Sequence, residues 1–232
     1  MPPQLFESKS STGEVLHGVW YQPPNYDPAQ RYPTILYVYG GPHVQLVSNS
    51  FKMTSAFLKF HAYAALGYVV VMVDNVGSAN RGLRFEAHIQ HQMGILEVRD
   101  QVAALEHLAA KGIVDLARVL VTGSSYGGYM SLMCLAQQPS VFKIAVASAP
   151  VTMWEAYDTG YTERYMDLPA NNSVGYMQGA VTYWASHFPY EYAFGGATRH
   201  AIVQRRASAH CECYCVCARV VSGRIGCSWC MG

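Results

Sequence analysis

The segment Gly123-Ser124-Ser125-Tyr126-Gly127 sets a serine between two glycines, at a spacing that suits one kind of chemistry. A serine hydroxyl acts as a nucleophile when it stands on a sharp strand-to-helix turn, which small flanking residues allow to close. The neighbouring sequence supplies both elements. Arg118-Val119-Leu120-Val121-Thr122 reads as a buried strand, and residues 129–138 read as a helix. On such a turn the amide of the residue after the nucleophile, here Tyr126, points at a developing oxyanion. A second donor is expected from a loop that follows an earlier strand. Tyr39, in Val38-Tyr39-Gly40-Gly41-Pro42, can offer its hydroxyl there. Taken singly, Tyr39 also fits a half-buried strand aromatic with its hydroxyl in solvent.

The elements that must position this turn follow from apolar patterning. Thr34-Ile35-Leu36-Tyr37-Val38-Tyr39 is a β-branched and aromatic run closed by Gly40-Gly41-Pro42, as a buried strand entering a loop would be. Residues 55–66 have helical apolar spacing and end at Gly67. Tyr68-Val69-Val70-Val71-Met72-Val73 is continuously apolar, the signature of a central parallel strand buried on both faces. Ile95, Val98, Val102, Leu105 and Ala109 recur at steps of three and four and predict one apolar helical stripe. Residues 142–147 predict a further strand. The alternation argues for an α/β fold, a doubly wound and mostly parallel sheet whose chemistry sits at the carboxyl ends of its strands.

Composition narrows the function classes. The chain has 232 residues, 51% hydrophobic and 13% charged, with a formal net charge of +1. That length suits one α/β domain, and so balanced a charge gives no basis for a nucleic-acid or anionic-membrane partner. Neither a secretory signal nor a run long enough to span a bilayer is evident, so the chain reads as soluble and cytoplasmic. Among the seven cysteines only Cys134 precedes residue 211, which suits a reducing compartment.

Three segments together resemble the prolyl oligopeptidase family of serine peptidases. They are residues 38–42, the run Gly-Ser-Ser-Tyr-Gly-Gly at 123–128, and Trp-Glu-Ala-Tyr-Asp-Thr-Gly-Tyr-Thr-Glu-Arg-Tyr-Met at 154–166. Within the family they are most similar to the dipeptidyl peptidase IV subfamily. Residues 41–52 and 81–86 resemble its cytosolic dipeptidyl peptidase eight and nine branch. The resemblance runs from about Phe6 to about Glu191 and implies an α/β-hydrolase domain over residues 1–191, C-terminally incomplete. It implies Ser125 as acyl-forming nucleophile, with the Tyr39 hydroxyl and the Tyr126 amide as oxyanion hole. It further implies that Val151, Trp154, Tyr157, Tyr161 and the Tyr126 ring wall a pocket for proline. Without the resemblance, the spacing of Trp154, Tyr157 and Tyr161 would be read as one amphipathic helix face. The implied substrate is a proline-containing peptide that loses an N-terminal dipeptide. No cofactor or metal is called for, and full-length members imply a homodimer.

Two partners of the serine have no evident counterpart. Such a triad runs Ser, then Asp, then His along the chain. The resemblance puts the acid near residues 202–206, where there is none, and the histidine beyond Gly232. The last aspartate is Asp167, and His187, His200, His210, Glu191 and Glu212 lack the family context. This favours, as an alternative, a catalytically inactive chain. Residues 192–232 lose the periodic pattern and carry Cys211, Cys213, Cys215, Cys217, Cys227 and Cys230 at spacings that fit a zinc knuckle poorly. They read as a disordered or poorly folded, non-family tail of the kind a shifted frame, retained intron or alternative exon produces.

Overall fold

The computed structural model describes residues 2–50, 55–186 and 200–204. Seven strands form one sheet in the order β1-β2-β4-β3-β5-β6-β7. They are β1 (Gln4–Lys9), β2 (Val15–Tyr21), β3 (Tyr32–Tyr37), β4 (Val69–Asp74), β5 (Val114–Ser124), β6 (Phe142–Ser148) and β7 (His200–Gln204). The first two form an antiparallel hairpin, and β2 lies antiparallel to β4. From β4 through β3, β5 and β6 to β7 every pairing is parallel. The mostly parallel sheet is as expected. The hairpin is an addition that apolar patterning does not announce, because its strands carry mixed polarity. Its turn is held by Ser10, whose Oγ accepts the amides of Thr12 and Glu14.

Helices cover both faces. They are α1 (Ser55–Ala65), α2 (Leu83–Glu86), α3 (Leu96–Ala110), α4 (Tyr126–Gln137), α5 (Thr159–Met166), α6 (Ser173–Gly179) and α7 (Val181–Ser186). Alternate residues of a strand face opposite sides, and β4 shows what this does to the core. Val69, Val71 and Val73 join the larger cluster, which includes side chains of α3 and α4. Val70 and Met72 join a smaller one with Phe60 and Ala64 of α1. All six β4 residues are buried, as its unbroken apolar run predicts.

Helix α3 is rotated from the predicted stripe. Val98 and Leu105 are fully buried, but so are Glu97, Asp100 and Gln101, while Val102 and Ala109 are half-buried. The inward polar trio is tied to neighbouring loops, to β4 and to Tyr126. Asp100 accepts the amides of Ser11 and Val76, and Gln101 donates to Val73 O and Asn75 Oδ1. Strand β7 falls inside the segment 192–232 and gives five of its residues a place in the sheet. The tail's cysteines, and the boundary at residue 191, lie outside the described residues.

Candidate active site

Ser125 occupies the turn between β5 and α4 and is exposed. Its φ of 59° and ψ of −120° belong to a conformation that L-residues rarely adopt. Bonds on both sides hold it there. The Ser125 amide donates to Ser148 O at 2.9 Å, and the Tyr129 amide donates to Ser125 O at 3.0 Å. The flanking glycines are needed because the chain just past the end of β3 runs close beneath. A β-carbon on Gly123 would lie 2.3 Å from Val38 O, and one on Gly127 2.2 Å from the same oxygen. A side chain at either position would therefore push the turn off the sheet.

Since the Ser125 amide already serves Ser148, the next amide matters. Tyr126 is the first residue of α4, where an N–H has no intrahelical acceptor, so it is free to face a ligand oxygen. The Tyr126 ring is buried, stacked with Tyr39 at 6.0 Å between centroids and tilted against Trp154 at 5.6 Å. Tyr39 stands just beyond β3. Asn75, whose amide donates to Gly40 O at 2.8 Å, fixes the loop that carries it. Burial, reinforced by the phenols of Tyr157 and Tyr165, holds the Tyr39 hydroxyl above the ordinary phenol range. It therefore stays a neutral donor at physiological pH.

From Tyr126 the aromatic wall continues outward. Trp154 is buried, stacks on Tyr161 at 6.1 Å and meets Tyr157 edge-on at 6.1 Å. Tyr157 and Tyr161 meet edge-on at 5.5 Å, and Tyr157 is 42% exposed, at the rim. Val151 is half-buried against the larger core cluster. The fold thus gathers the sequence-selected aromatics, but not along one helix. Trp154 sits in a short 3-10 turn and Tyr157 is extended, while Tyr161 lies in α5, which starts where Asp158 accepts the Tyr161 amide.

Two participants escape sequence reading. The single Tyr129 hydroxyl hydrogen is shared between Met93 O at 3.0 Å and Gly179 O at 2.8 Å, clamping α4 to the segments around it. Glu97 is buried beneath the ring of Tyr126 and accepts its hydroxyl at 2.6 Å. The sequence cue to Glu97 is slight: it stands in the first turn of α3, where a glutamate can reach back to an amide ahead of the helix, here that of Gly94. Of the histidines after Ser125, His200 is the one among the described residues. It pairs with Ile144, whereas Ser148, beside Ser124, pairs with Gln204. Four strand residues, about 13 Å at the usual rise, separate it from the turn. His187, His210, Glu191 and Glu212 lie outside the described residues. Among those described, no cluster of three metal-ligating side chains occurs and no helix is long and apolar enough to cross a membrane.

A serine on a strained turn at the carboxyl end of a parallel strand, with helices on both faces, defines an α/β-hydrolase domain. The model of the prolyl oligopeptidase family matches residues 53–198, and the chain belongs to that family. Dipeptidyl peptidase 8 of Homo sapiens is 50% identical over 191 residues, covering 82% of this chain and 21% of that protein. A probable dipeptidyl-aminopeptidase B of Aspergillus clavatus is 37% identical over 185 residues, covering 78% and 20%. A crystal structure assigned as a dipeptidyl aminopeptidase IV from Bacteroides ovatus superposes with a TM-score of 0.79 at 35% identity, covering 88% of this chain and 28% of that one. The chain therefore spans about a fifth of the length of these curated relatives.

Proposed function

We propose that the chain carries the nucleophile half of a dipeptidyl peptidase site that releases N-terminal X-Pro dipeptides through a Ser125 acyl-enzyme. The observation that carries this reading is the Ser125 turn, exposed at φ 59° and bedded on Val38, with an aromatic wall beginning at the next residue. The Ser125 hydroxyl attacks the carbonyl carbon of proline, and the Tyr39 hydroxyl and Tyr126 amide receive the oxyanion. The Ser125 ester then replaces the amide bond after proline, the serine proton leaves on the amine of the shortened peptide, and water releases the dipeptide. Proline is compact, apolar and without an N–H, so rings and shape suffice to hold it. Val151, Trp154, Tyr157, Tyr161 and Tyr126 supply that wall. The substrate is a proline-containing peptide, and the cytoplasm is the compartment we assign.

A second reading, a chain that binds such peptides without turning them over, is supported by the position of His200 at the far end of β6. Loss of both base and acid costs about 10⁴–10⁶ in rate. Incubation of the purified chain with an Ala-Pro chromogenic substrate and a fluorophosphonate probe separates the two, with Ser125→Ala as control. Ser125-dependent turnover supports the peptidase. Binding of Ala-Pro without labelling or turnover supports the inactive chain, and absence of all three overturns both.

A further inference from the structure

Glu97 is a carboxylate with no exposed surface, and no lysine, arginine or histidine lies within salt-bridge distance of it among the described residues. It accepts the Gly94 amide at both oxygens, at 2.8 and 2.9 Å, and the Tyr126 hydroxyl at Oε1. Capping the start of α3 explains the Gly94 bonds, but an exposed glutamate caps equally well. Burying an uncompensated carboxylate costs several kcal/mol, so a role in capping alone does not account for its place.

What the burial achieves is seen at Tyr126. Its hydroxyl end is anchored at Glu97, and its flank lies so close to Gly41 that a β-carbon there would come within 2.4 Å of the ring. The ring is wedged between Glu97 and the loop bearing Tyr39, and its own backbone amide stands next to Ser125. We propose that Glu97 is a positioning residue: through the Tyr126 hydroxyl it sets the inner wall of the proline pocket and the amide beside the nucleophile. This deepens the proposed function and rests on it. Glutamine cannot replace the carboxylate in this role. Its single oxygen, at the place of Oε1, can take both the Tyr126 hydroxyl and the Gly94 amide, but its NH₂ then stands where Oε2 accepts that amide at 2.9 Å, donor against donor.

The test uses the full chain with ¹³Cζ-labelled tyrosine, the Tyr126 resonance being identified by its loss in Tyr126→Phe. The titratable groups that feel Glu97 are Tyr126, Tyr129 and Cys134 of α4, Asp100 of α3 and Tyr161 of α5. Burial pushes Glu97 up to about 7, whereas the tyrosines and the thiol are all raised above their ordinary ranges. The Tyr126 signal is expected to shift with a midpoint near 7 in the native chain and to stay flat in Glu97→Gln. In parallel, calorimetric titration compares Ala-Pro with Ala-Leu. Glu97→Gln and Tyr126→Phe should each lower the preference for Ala-Pro by about tenfold, and the double variant by no more than either. An unmoved Tyr126 signal in the native chain, or an unchanged preference in a cooperatively folded Glu97→Gln, overturns the proposal. A native chain with no preference for Ala-Pro overturns the proline pocket instead, and the Tyr126 titration then decides the Glu97–Tyr126 coupling by itself.

Discussion

The amide of Ser125 donates to the carbonyl oxygen of Ser148 across 2.9 Å, so the turn is tied to the end of β6. That bond keeps Ser125 at φ 59° and ψ −120°, the geometry of the first central residue of a type II′ turn. An L-residue held there stores about 1–3 kcal/mol. Ser125→Gly should relieve that strain and offset glycine's extra unfolded-state entropy of about 0.5–1 kcal/mol. Urea denaturation is expected to find Ser125→Gly more stable than Ser125→Ala by about 1 kcal/mol. A Ser125→Gly chain less stable than Ser125→Ala by about 0.5–1 kcal/mol, the entropy of glycine alone, would mean that the turn carries no strain.

Gly127→Ala should show the opposite behaviour. The new methyl would meet Val38 O at 2.2 Å, a backbone atom one residue past β3 whose own amide is tied to Thr122 O at 2.9 Å. Overpacking of this kind costs about 1–3 kcal/mol. Gly160→Ala serves as control, since its β-carbon would meet only Asp158 Oδ1 at an ordinary 3.6 Å. That substitution should be neutral or stabilising by about 0.5–1 kcal/mol, because Gly160 lies within α5. Matching losses for the two variants in the same denaturation series would contradict the close approach.

The turn and the central strands were legible in sequence because their signals are local. Glycine spacing around Ser125 and the unbroken apolar run of β4 each report on a few adjacent residues. The burial of Glu97 was not legible, since the stripe through Val98 and Leu105 places it toward solvent. Only the long-range bonds of Asp100 to the loop at Val76 and of Gln101 to Val73 in β4 draw that polar edge of α3 inward. Trp154, Tyr157 and Tyr161 have helical spacing by coincidence. A 3-10 turn and an extended residue precede the helix, and the cap at Asp158 was the cue that α5 begins afterwards. The hairpin of β1 and β2 depends on pairing with β4, a long-range contact that its mixed polarity does not encode.

Trp154 and Tyr157 separate folding from recognition. Trp154 is 1% exposed and touches Tyr126 and Tyr129, so Trp154→Ala should cost about 3–5 kcal/mol and threaten the fold. Tyr157 at the rim is 42% exposed. Tyr157→Ala should cost under about 1 kcal/mol of stability while weakening Ala-Pro binding several-fold. Thermal melts alongside calorimetric titration check both halves. A Tyr157→Ala chain that binds Ala-Pro as tightly as the native one would remove Tyr157 from the pocket.

Glu97 also gives stability a pH dependence whose sign is fixed by its burial. Desolvation raises its pKa from 4.5 to about 7, and the opposing bonds from Tyr126 and Gly94 do not compensate. The folded state therefore holds the proton more tightly than the unfolded state. The stability this provides is complete below about 4.5, falls as pH rises, and is gone above about 7. At 1.36 kcal/mol per unit, the whole effect is about 3 kcal/mol. Asp74 and Asp100 are raised by burial as well and add slope of the same sign, so the native pH profile alone does not isolate Glu97. The difference between native chain and Glu97→Gln does, because the variant keeps both aspartates. Denaturation at about pH 5 and about pH 8 should show the glutamine chain gaining about 2.5 kcal/mol relative to the native one over that interval. A constant difference at the two pH values would show that Glu97 keeps one charge state throughout, with the Tyr126 bond to a permanently ionised carboxylate.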